Sequence, residues 1–458
     1  MNKVYNITDF GAVSNDELQT TCIQSAIDEC FLNGGGEVII PEGVFLTGGI
    51  RLRSNVTLHL MKNAVLKGSR NPEDYFSYLD DKLEPLREGQ ITDAYSGFSG
   101  TYGGETEEEK KFRSKRVPGS RWNNALIRSI DAENIAIIGE DGSIIDGSNC
   151  YDSMGEEKYR GPHGMTFFNT KNITLKGYTI QHTGNWAHNM IFCDQIKAEH
   201  ITVLAGHDGL DVFACKNVYI SDCEFYTGDD CIAGYSNINV FVSNCITNSA
   251  CSAFRFAGTN VIIDKCHMYA PCKYGFRGLL SLQEKIDGVI ARKENARTNM
   301  LSAFTYYAAA SVPIPDKPGN IVIRNCKIDG ADRFLHYNYS GNEPWQRCRP
   351  LSDICFENIE ATNISMPLTA YGDEDEPIKL TLKNVTASMR DNADYQSFML
   401  LRNFEKVEIT NLKLTNFKAD CLIKKGSEGK IELTDVSCSL PDEQLIQHTD
   451  EEFIISPI

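Results

Sequence analysis

One short strand pattern, an asparagine followed by alternating apolar residues, recurs along most of the chain. Its clearest copies are Asn55-Val-Thr-Leu, Asn134-Ile-Ala-Ile, Asn172-Ile-Thr-Leu, Asn217-Val-Tyr-Ile, Asn260-Val-Ile-Ile and Asn320-Ile-Val-Ile. Between Gln195, Asn217, Asn239 and Asn260 the spacings are 22, 22 and 21 residues. A repeat of this length with short β-branched strands and Gly/Asn/Asp turns is typical of one coil of a β-helix.

Two other repeat architectures fit the pattern less well. A leucine-rich repeat needs a regular leucine skeleton, which is absent, and a propeller blade needs roughly twice the period. Stacking completes the core that a single coil cannot bury alone. The sequence therefore predicts an all-β fold, a right-handed parallel β-helix (solenoid).

The repeat begins after a helical segment and is interrupted twice. Apolar residues at helical spacing run from Glu17 to Leu32, and Gly34-Gly35-Gly36 ends the pattern, which predicts an N-terminal capping helix. The interruptions, at about 71–124 and 270–319, are predicted to be loops that flank a binding cleft. Because the repeat resumes after each, we expect a single β-helix domain over residues 1–458.

Charge and composition limit the partners. The 458-residue chain has 41% hydrophobic and 23% charged residues, as in an ordinary globular protein, and a formal charge of −17 from 62 acidic and 45 basic side chains. Such a surface repels nucleic acid and anionic membranes, so we expect neither as a partner. The sequence does not indicate an oligomeric state.

Sixteen cysteines occur without a C-x-x-C pair. Many stand at strand-like positions beside apolar residues, which favours buried core residues over disulfides or zinc ligands; these are Cys193, Cys223, Cys245, Cys266 and Cys326. The N-terminus has no secretory h-region, and no uncharged apolar run approaches ~18 residues. The predicted location is cytoplasmic.

Three aspartates carry the predicted chemistry. Asp208 lies in Gly206-His-Asp-Gly-Leu-Asp211, while Asp229 and Asp230 lie in Thr227-Gly-Asp-Asp-Cys-Ile232, one repeat further on. Neighbouring strands are about 4.8 Å apart, so the carboxyl groups should meet in one patch where one holds a proton near neutral pH. A protonated and an ionised carboxyl side by side is what glycosidic cleavage requires.

Two other interpretations of the aspartates remain open. Aspartate and glycine populate β-helix turns for purely structural reasons, and three carboxylates also suit calcium. Because a fold gains little from stacking like charges, we favour a catalytic cluster that needs no metal and no other cofactor.

The sequence resembles glycoside hydrolase family 28, the polygalacturonases and their relatives. Similar segments occur in the family's order along most of the chain, from Asp9-Phe-Gly-Ala12 and Gly34–Gly43 to Asn185-Trp-Ala-His188. Gly206–Asp211 is similar to the family's Asn-Thr-Asp-Gly-x-Asp motif, and the Gly-Asp-Asp-Cys motif is intact at Gly228–Cys231. The resemblance implies inversion, with Asp229 as general acid and Asp208 and Asp230 holding and activating water. The one-coil spacing alone leaves inversion and retention undecided.

Two family motifs are missing. Ala250-Cys-Ser-Ala stands in place of Gly-His-Gly, and the Arg-x-Lys motif, which in polygalacturonases handles the galacturonate carboxylate, is half present at Gly275-Phe-Arg277-Gly-Leu. Arg255 faces away from Phe254 and Phe256 and so points to solvent or to the cleft. The predicted substrate-binding residues are His188, His207, Arg255, Arg277 and Tyr337.

The second interruption also carries basic residues. From Pro271 to Met300 there are six basic residues against three acidic ones, on a chain of negative charge. This stretch is either a solvated loop or part of a site for an acidic sugar.

The predicted function is an inverting glycoside hydrolase for pectin-derived or related plant oligosaccharides, with terminal action slightly favoured. Alternatives are a lyase or transferase on the same fold, and a non-catalytic glycan-binding β-helix protein. Lyases need a Lys or Arg base, and none is paired with the aspartates in the sequence. The retained aspartates argue against a mere binder.

Overall fold

A computed structural model describes residues 3–77, 121–289, 297–308, 317–339, 346, 349–391 and 393–449. The described chain is a stack of parallel coils, and each coil contributes two or three short strands that pair with equivalent strands of the coils above and below. The connections from strand to parallel strand are of the right-handed kind that twisted strands favour. The predicted right-handed parallel β-helix is confirmed.

The strands are short at the N-terminal end and lengthen toward the C-terminal end. The first ten are β1 (Val4–Asn6), β2 (Gly36–Ile40), β3 (Gly43–Thr47), β4 (Ile50–Arg51), β5 (Val56–Leu60), β6 (Ala64–Gly68), β7 (Phe76–Ser77), β8 (Asn124–Ile130), β9 (Glu133–Gly139) and β10 (Ile144–Asp146). The central coils contain β11 (His163–Phe168), β12 (Lys171–Lys176), β13 (Thr179–Gln181), β14 (His188–Ile191), β15 (Asp194–Glu199), β16 (Thr202–Ala205), β17 (Leu210–Phe213), β18 (Lys216–Ser221), β19 (Glu224–Thr227), β20 (Ile232–Ser243), β21 (Ile246–Ser249), β22 (Ser252–Asp264) and β23 (His267–Tyr269).

The remaining strands are β24 (Met300–Tyr306), β25 (Gly319–Arg324), β26 (Lys327–Asp329), β27 (Ala331–Asn338), β28 (Asp353–Ile364), β29 (Leu368–Tyr371), β30 (Ile378–Met389), β31 (Ser397–Arg402), β32 (Phe404–Thr415), β33 (Cys421–Lys425), β34 (Lys430–Ser437) and β35 (Ile446–His448). Three α-helices are described, α1 (Thr20–Leu32), α2 (Glu156–Tyr159) and α3 (Leu282–Ile286). Short 3-10 helices cover Ile7–Phe10, Pro72–Asp74, Arg121–Asn123, Arg277–Leu279 and Asp442–Gln444.

One of the sheets positions the candidate site, and we call it the site sheet. It runs through β4, β8, β11, β14, β17, β20, β22, β24, β27, β29, β31, β33 and β35. Its outward row holds, in register, Arg51, Arg128, Thr166, Asn189, Asp211, Ala233, Arg255, Thr305 and His336. Side chains alternate across a strand, so the residues between them face the core.

The recurring asparagine has a conformational cause. Asn217, Asn239 and Asn260 have φ angles of 54°, 59° and 59°, in the left-handed region that asparagine tolerates better than most residues. The side-chain amides of Asn239 and Asn260 donate to the side-chain oxygen of the asparagine one coil earlier at 3.1 Å, and that of Asn217 donates to Asp194 at 2.8 Å. The asparagine therefore turns the chain into its next strand and joins neighbouring coils.

The core is the interior of the coils. Rows of Ile, Leu, Val and Phe from successive strands fill it, and the five cysteines predicted to be core residues are all buried with free thiols. Cys223 and Cys245 each donate an S–H bond to a backbone carbonyl. Their role as small buried hydrophobic residues is confirmed.

Helix α1 covers the first coil as predicted, but it begins at Thr20 rather than Glu17. Gln19 explains the later start, because its side chain bonds to the backbone of Val13 and Glu17 and its own N–H donates to Leu46. The helix buries Ile23, Ala26, Ile27 and Cys30 against the stack.

The two predicted loops are described only in part. Residues 78–120 of the first, and residues 290–296 and 309–316 of the second, lie outside the described residues. The single-domain prediction for residues 1–458 stays a prediction. Among the described residues, no helix has the length and apolarity needed to cross a bilayer.

Candidate active site

The aspartates lie where the chain turns into the site sheet. Asp208 precedes β17, and Asp229 and Asp230 precede β20, the next strand of the same sheet. Leu210 pairs with Ile232, so Asp208 and Asp230 occupy equivalent positions on neighbouring coils. The N–H of Gly209 donates to the Asp230 carbonyl at 3.0 Å, which fixes this stacking. The structure brings the three predicted residues together.

A fourth carboxyl joins them. Asp211 stands between Leu210 and Val212, which point into the core, and therefore faces outward on β17. It is almost fully buried and hydrogen-bonds with Asp208. The sequence analysis did not predict Asp211 as a site residue. The alternation Leu-Asp-Val could have indicated it, because an aspartate between two core residues faces outward beside Asp208.

Burial and mutual repulsion hold protons in this cluster. Burial, and then the charges of neighbouring aspartates, raises the pKa of Asp208 and of Asp211 well above its usual range. The pKa of Asp229 is also raised, by burial and then by Asp230, while the charges of Arg160, Arg255 and Arg297 oppose the shift. Burial and like charge thus favour the protonated form of these carboxyls, and the proton held near neutral pH stays a prediction.

Asp229 is the most accessible member. Its side chain is 15% exposed, whereas Asp230 is fully buried. The Thr227 and Ser249 hydroxyls donate to the Asp229 carbonyl at 2.7 and 2.6 Å and fix the turn. An Arg160 nitrogen lies 3.9 Å from a carboxyl oxygen of Asp229. Asp229 therefore has the exposure that contact with a ligand requires.

Arg255 also reaches the cluster. Its Nη1 lies 3.4 Å from Oδ2 of Asp230, and its guanidinium carbon lies 4.3 Å from the centre of the Tyr307 ring. The side chain is 22% exposed and contacts the aspartate cluster. A role for Arg255 in a substrate cleft stays a prediction.

Next to the aspartates lies a buried basic cluster, formed by Arg277, Lys285 and His207. Arg277 donates from Nη1 to Oδ1 of Asn149 at 2.6 Å and to the Tyr151 hydroxyl at 2.9 Å. Lys285 donates to the Lys158 carbonyl, and its ammonium lies 5.1 Å from the centre of the Tyr151 ring. Arg277 and Lys285 are both buried, and among the described residues neither contacts a carboxylate.

The charges of this cluster act on one another. Burial, and then Arg160, Lys158 and Arg277, lowers the pKa of Lys285 to about 8. Burial, and then the charges of Arg160, Lys285 and Arg277, lowers the pKa of His207 well below its usual range. Both ring nitrogens of His207 are buried without a hydrogen-bond partner among the described residues. The imidazole is therefore neutral.

The second interruption of the repeat builds this cluster. From Gly275 to Ile286 it runs back along the coils: the Arg277 N–H donates to Gly206 at 3.3 Å, and the Ile286 carbonyl accepts from Arg70. Gly206 permits the approach, because a Cβ there would lie 1.9 Å from Cδ of Arg277. The basic stretch noted in the sequence thus contributes Arg277, Lys285 and Arg297 to the site.

Part of this chain is similar to known proteins. Residues 99–253 match the family model described as glycosyl hydrolases family 28. A probable polygalacturonase of Vitis vinifera is 25% identical over 240 residues, which cover 50% of this chain and 43% of that protein. An exo-poly-alpha-D-galacturonosidase of Dickeya chrysanthemi is 27% identical over 259 residues, covering 50% and 41%. The matches thus span less than half the length of these relatives.

A solved structure supports the fold of this chain. A hyperthermoactive exopolygalacturonase from Thermotoga maritima superposes with a TM-score of 0.64 at 18% identity, covering 91% of this chain and 93% of that one.

The histidine of the family's Gly-His-Gly motif is missing from this chain. Cys251 occupies its place, buried against the aspartates, and burial followed by Asp230 and Asp229 raises its pKa well above the usual range. One ligand atom from each of Asp229, Asp230 and Cys251 lies within 4.8 Å of the others, the one such group among the described residues. Arg255 and Arg160 beside it oppose a bound cation.

Two predicted substrate contacts lie in the interior. His188 is fully buried, with Nδ1 2.9 Å from the Gly209 carbonyl and Nε2 3.0 Å from the Tyr178 hydroxyl, and burial lowers its pKa to about 4. Tyr337 is fully buried, and its hydroxyl accepts the Leu351 N–H at 3.0 Å. Both stand on inward positions of their strands, so in this structure neither reaches the cleft. Residues 340–345 of the aromatic stretch lie outside the described residues.

Sequence reasoning missed Arg160 and the aromatic residues around it. Arg160 is 10% exposed, donates to Asn185 at 3.0 Å and lies 5.5 Å from the Trp122 ring. Trp122 packs on Trp186 with ring centres 5.3 Å apart. No spacing in the sequence distinguishes these residues, because the fold alone brings them next to Asp229.

Proposed function

We propose that this chain is a glycoside hydrolase that removes terminal uronic acid units from short, pectin-derived oligosaccharides. One observation carries the proposal: closely packed carboxyls with raised pKa values lie beside buried cations that have no carboxylate partner among the described residues. The first group suits hydrolysis, and the second suits an acidic sugar.

Asp229 is the proposed general acid. It combines a raised pKa with the largest exposure described above among the aspartates, so it can present a proton to the leaving oxygen. Water attacks the anomeric carbon from the opposite face, and Asp208 and Asp230 are proposed to hold and deprotonate it. Inversion is part of the proposal.

The buried basic cluster is the proposed carboxylate site. Uncompensated buried charge is costly, and a carboxylate ligand would offset that cost with charge-assisted hydrogen bonds. Arg277 stands at the arginine position of the half-present Arg-x-Lys motif, and Lys285 supplies a second cation from α3. The names of the relatives, polygalacturonase and exo-poly-alpha-D-galacturonosidase, support galacturonate as the acidic sugar.

Action at a chain end is proposed on the position of the loops. The segment from Gly275 to Ile286 docks on coils that precede Asp208, and Arg160 reaches Asp229 from the same side. A sugar bound on that side would meet protein within a short distance. Short substrates fit a cytoplasmic location, which we also propose; the free buried cysteines support it. Finding the protein in culture supernatant would contradict the location.

The test is product analysis. Purified protein is incubated in chelator with galacturonate oligosaccharides and neutral plant oligosaccharides, and the products are identified by mass. We expect saturated products that have gained water, from acidic substrates only. Asp229→Asn should bind the substrate and lose hydrolysis by about 10²–10⁴-fold. Asp222→Asn, at the exposed turn between β18 and β19, serves as the matched control and should retain activity.

One observation favours β-elimination as a second candidate. Lys285 has a pKa of about 8, and a lyase needs such a base. An unsaturated, ultraviolet-absorbing product would establish the lyase and contradict hydrolysis. Binding without any product would identify a glycan-binding protein.

A further inference from the structure

No imidazole takes the place of the missing family histidine among the described residues. Cys251 occupies the position itself, His188 is bonded to Tyr178 and Gly209, and His207 belongs to the basic cluster. The group that contacts the aspartates from the following strand is the guanidinium of Arg255.

Arg255 is fixed on the outward face of the site sheet. It stands on β22 in register with Ala233 of β20 and Thr305 of β24. The Tyr307 ring lies 4.3 Å from its guanidinium carbon, in a cation–π contact. This contact on one side and Asp230 on the other leave the guanidinium little freedom.

Asp230 receives a donor on each oxygen, unlike its neighbours. Oδ1 accepts the Ser252 N–H at 3.0 Å, and Oδ2 lies 3.4 Å from Nη1 of Arg255. Oδ1 of Asp208 and Oδ2 of Asp211 are buried without a donor among the described residues. Hydrogen bonds and an adjacent cation favour the ionised form of a carboxyl. Within the cluster, Asp230 is the member whose two carboxyl oxygens are both held by donors.

We propose that Arg255 is a positioning residue that takes over from the absent imidazole by holding Asp230 ionised and oriented as the base for the attacking water. The inference rests on the proposed hydrolysis. In that reaction Asp229 gives its proton to the leaving oxygen as the glycosidic bond breaks. Asp230 accepts one proton from water as the new carbon–oxygen bond forms, and exchange with solvent restores both carboxyls.

The pH profile separates this role from substrate binding. The charged and titratable groups around Asp230 are Asp208, Asp211, Asp229, Cys231, Cys251 and Arg255. In Arg255→Gln we expect kcat to fall about 10²-fold or more with little change in KM, and the acid limb of kcat/KM to move to higher pH. Arg255→Lys keeps the charge and should restore part of both.

Arg324→Gln is the matched control. It removes another arginine–aspartate contact, the 3.3 Å pair of Arg324 on β25 with Asp264 on β22. We expect kcat and the pH profile to stay unchanged. A rise in KM for Arg255→Gln with the acid limb in place would identify a substrate-binding residue and overturn the proposal.

Thermal unfolding tests the pair without any substrate. Arg255→Gln and Asp230→Asn are compared singly and together, and coupled residues should give a double variant less destabilised than the sum of the singles. Additive losses would overturn the proposal even in an active enzyme. If the cycle shows coupling but wild-type protein cleaves nothing, the proposed function fails and the contact between Arg255 and Asp230 remains established. Should Arg255→Gln not fold, Arg255→Lys replaces it in both measurements.

Discussion

At the scale of single residues, the site accumulates charges that a stable fold would avoid. Asp208 and Asp211 hydrogen-bond with each other in the sheet surface, and Arg277 and Lys285 are buried beside neutral partners. Like charges and unpaired charges in a low-dielectric environment are destabilising. Residues retained at such cost are typical of functional sites, where the stored free energy is released when a ligand arrives.

The raised pKa of Asp211, the hydrogen-bond partner of Asp208, leads to a prediction about stability. Folding raises the pKa of Asp211, so below about pH 4 both folded and unfolded states are protonated, and above it the unfolded state loses its proton first. The native state then binds more protons, and its stability falls as pH rises. Asp211→Asn removes this loss, so its melting temperature should exceed that of wild type at pH 7 but not at pH 4. Equal differences at both pH values would contradict the prediction.

Lys285 makes a prediction about affinity. Its pKa of about 8 means that the cation is lost above that pH, so KM for acidic oligosaccharides should rise between pH 7 and 9.5. At pH 7, Lys285→Gln should raise KM about 10-fold or more, since a hydrogen bond to a charged group contributes ~1.5–3 kcal/mol.

Two variants test that interpretation. Lys285→Arg should preserve affinity to higher pH because the guanidinium does not titrate in this range. Lys327→Gln, an exposed lysine 3.7 Å from Glu360, should behave as wild type. A pH-independent KM in wild-type protein would show that Lys285 does not bind the carboxylate.

At the scale of elements, the coil-to-coil asparagine row explains how irregular turns stack with regular spacing. Each asparagine supplies a left-handed turn and a hydrogen bond to the neighbouring coil, for example from Asn260 to Asn239. The turns before the site sheet follow the same stacking, with Asp208 and Asp230 in equivalent positions. The strand pairing that stacks the coils therefore also aligns the proposed catalytic residues Asp208 and Asp230.

Asn239 tests this account. Asn239→Ala loses its bonds to Asn217 and Asn260 and must hold φ near 59°, whereas Asn239→Gly loses only the bonds. The glycine variant should be more stable than the alanine variant by about 1 kcal/mol in urea unfolding. If alanine were the better tolerated substitution, the positive φ would not be the reason for asparagine.

At the scale of the whole molecule, the solenoid offers a long surface of which one stretch is specialised. The site sheet continues on both sides of Asp211, but the insertion from Gly275 to Ile286 docks back toward the N-terminal coils. Helix α3 is thereby connected to Arg70 across more than two hundred residues of sequence. The fold supplies the outward face of the site sheet. We expect the docked segment from Gly275 to Ile286 to limit which part of a substrate can bind there.

From this placement we expect end-directed cleavage. A galacturonate pentamer labelled at one end should be shortened one unit at a time, and the viscosity of a long polymer should fall slowly. Samples taken early in the reaction and separated by size provide the measurement. Mid-length fragments at the first time points would show internal cleavage and an open groove.

The sequence by itself determined the architecture and the proposed catalytic carboxyls, because both depend on a short pattern that repeats at regular spacing. A 22-residue repeat gives the coil, and Asp208 and Asp230, one period apart, must meet when the coils stack. Only the tertiary structure decided what surrounds them. Lys285 comes from the second interruption, and Arg160 and Tyr151 come from the connection between β10 and β11. These segments do not follow the repeat, so the contacts among the three residues depend on how the segments dock. The same holds for His188 and Tyr337, whose strand positions turn them inward.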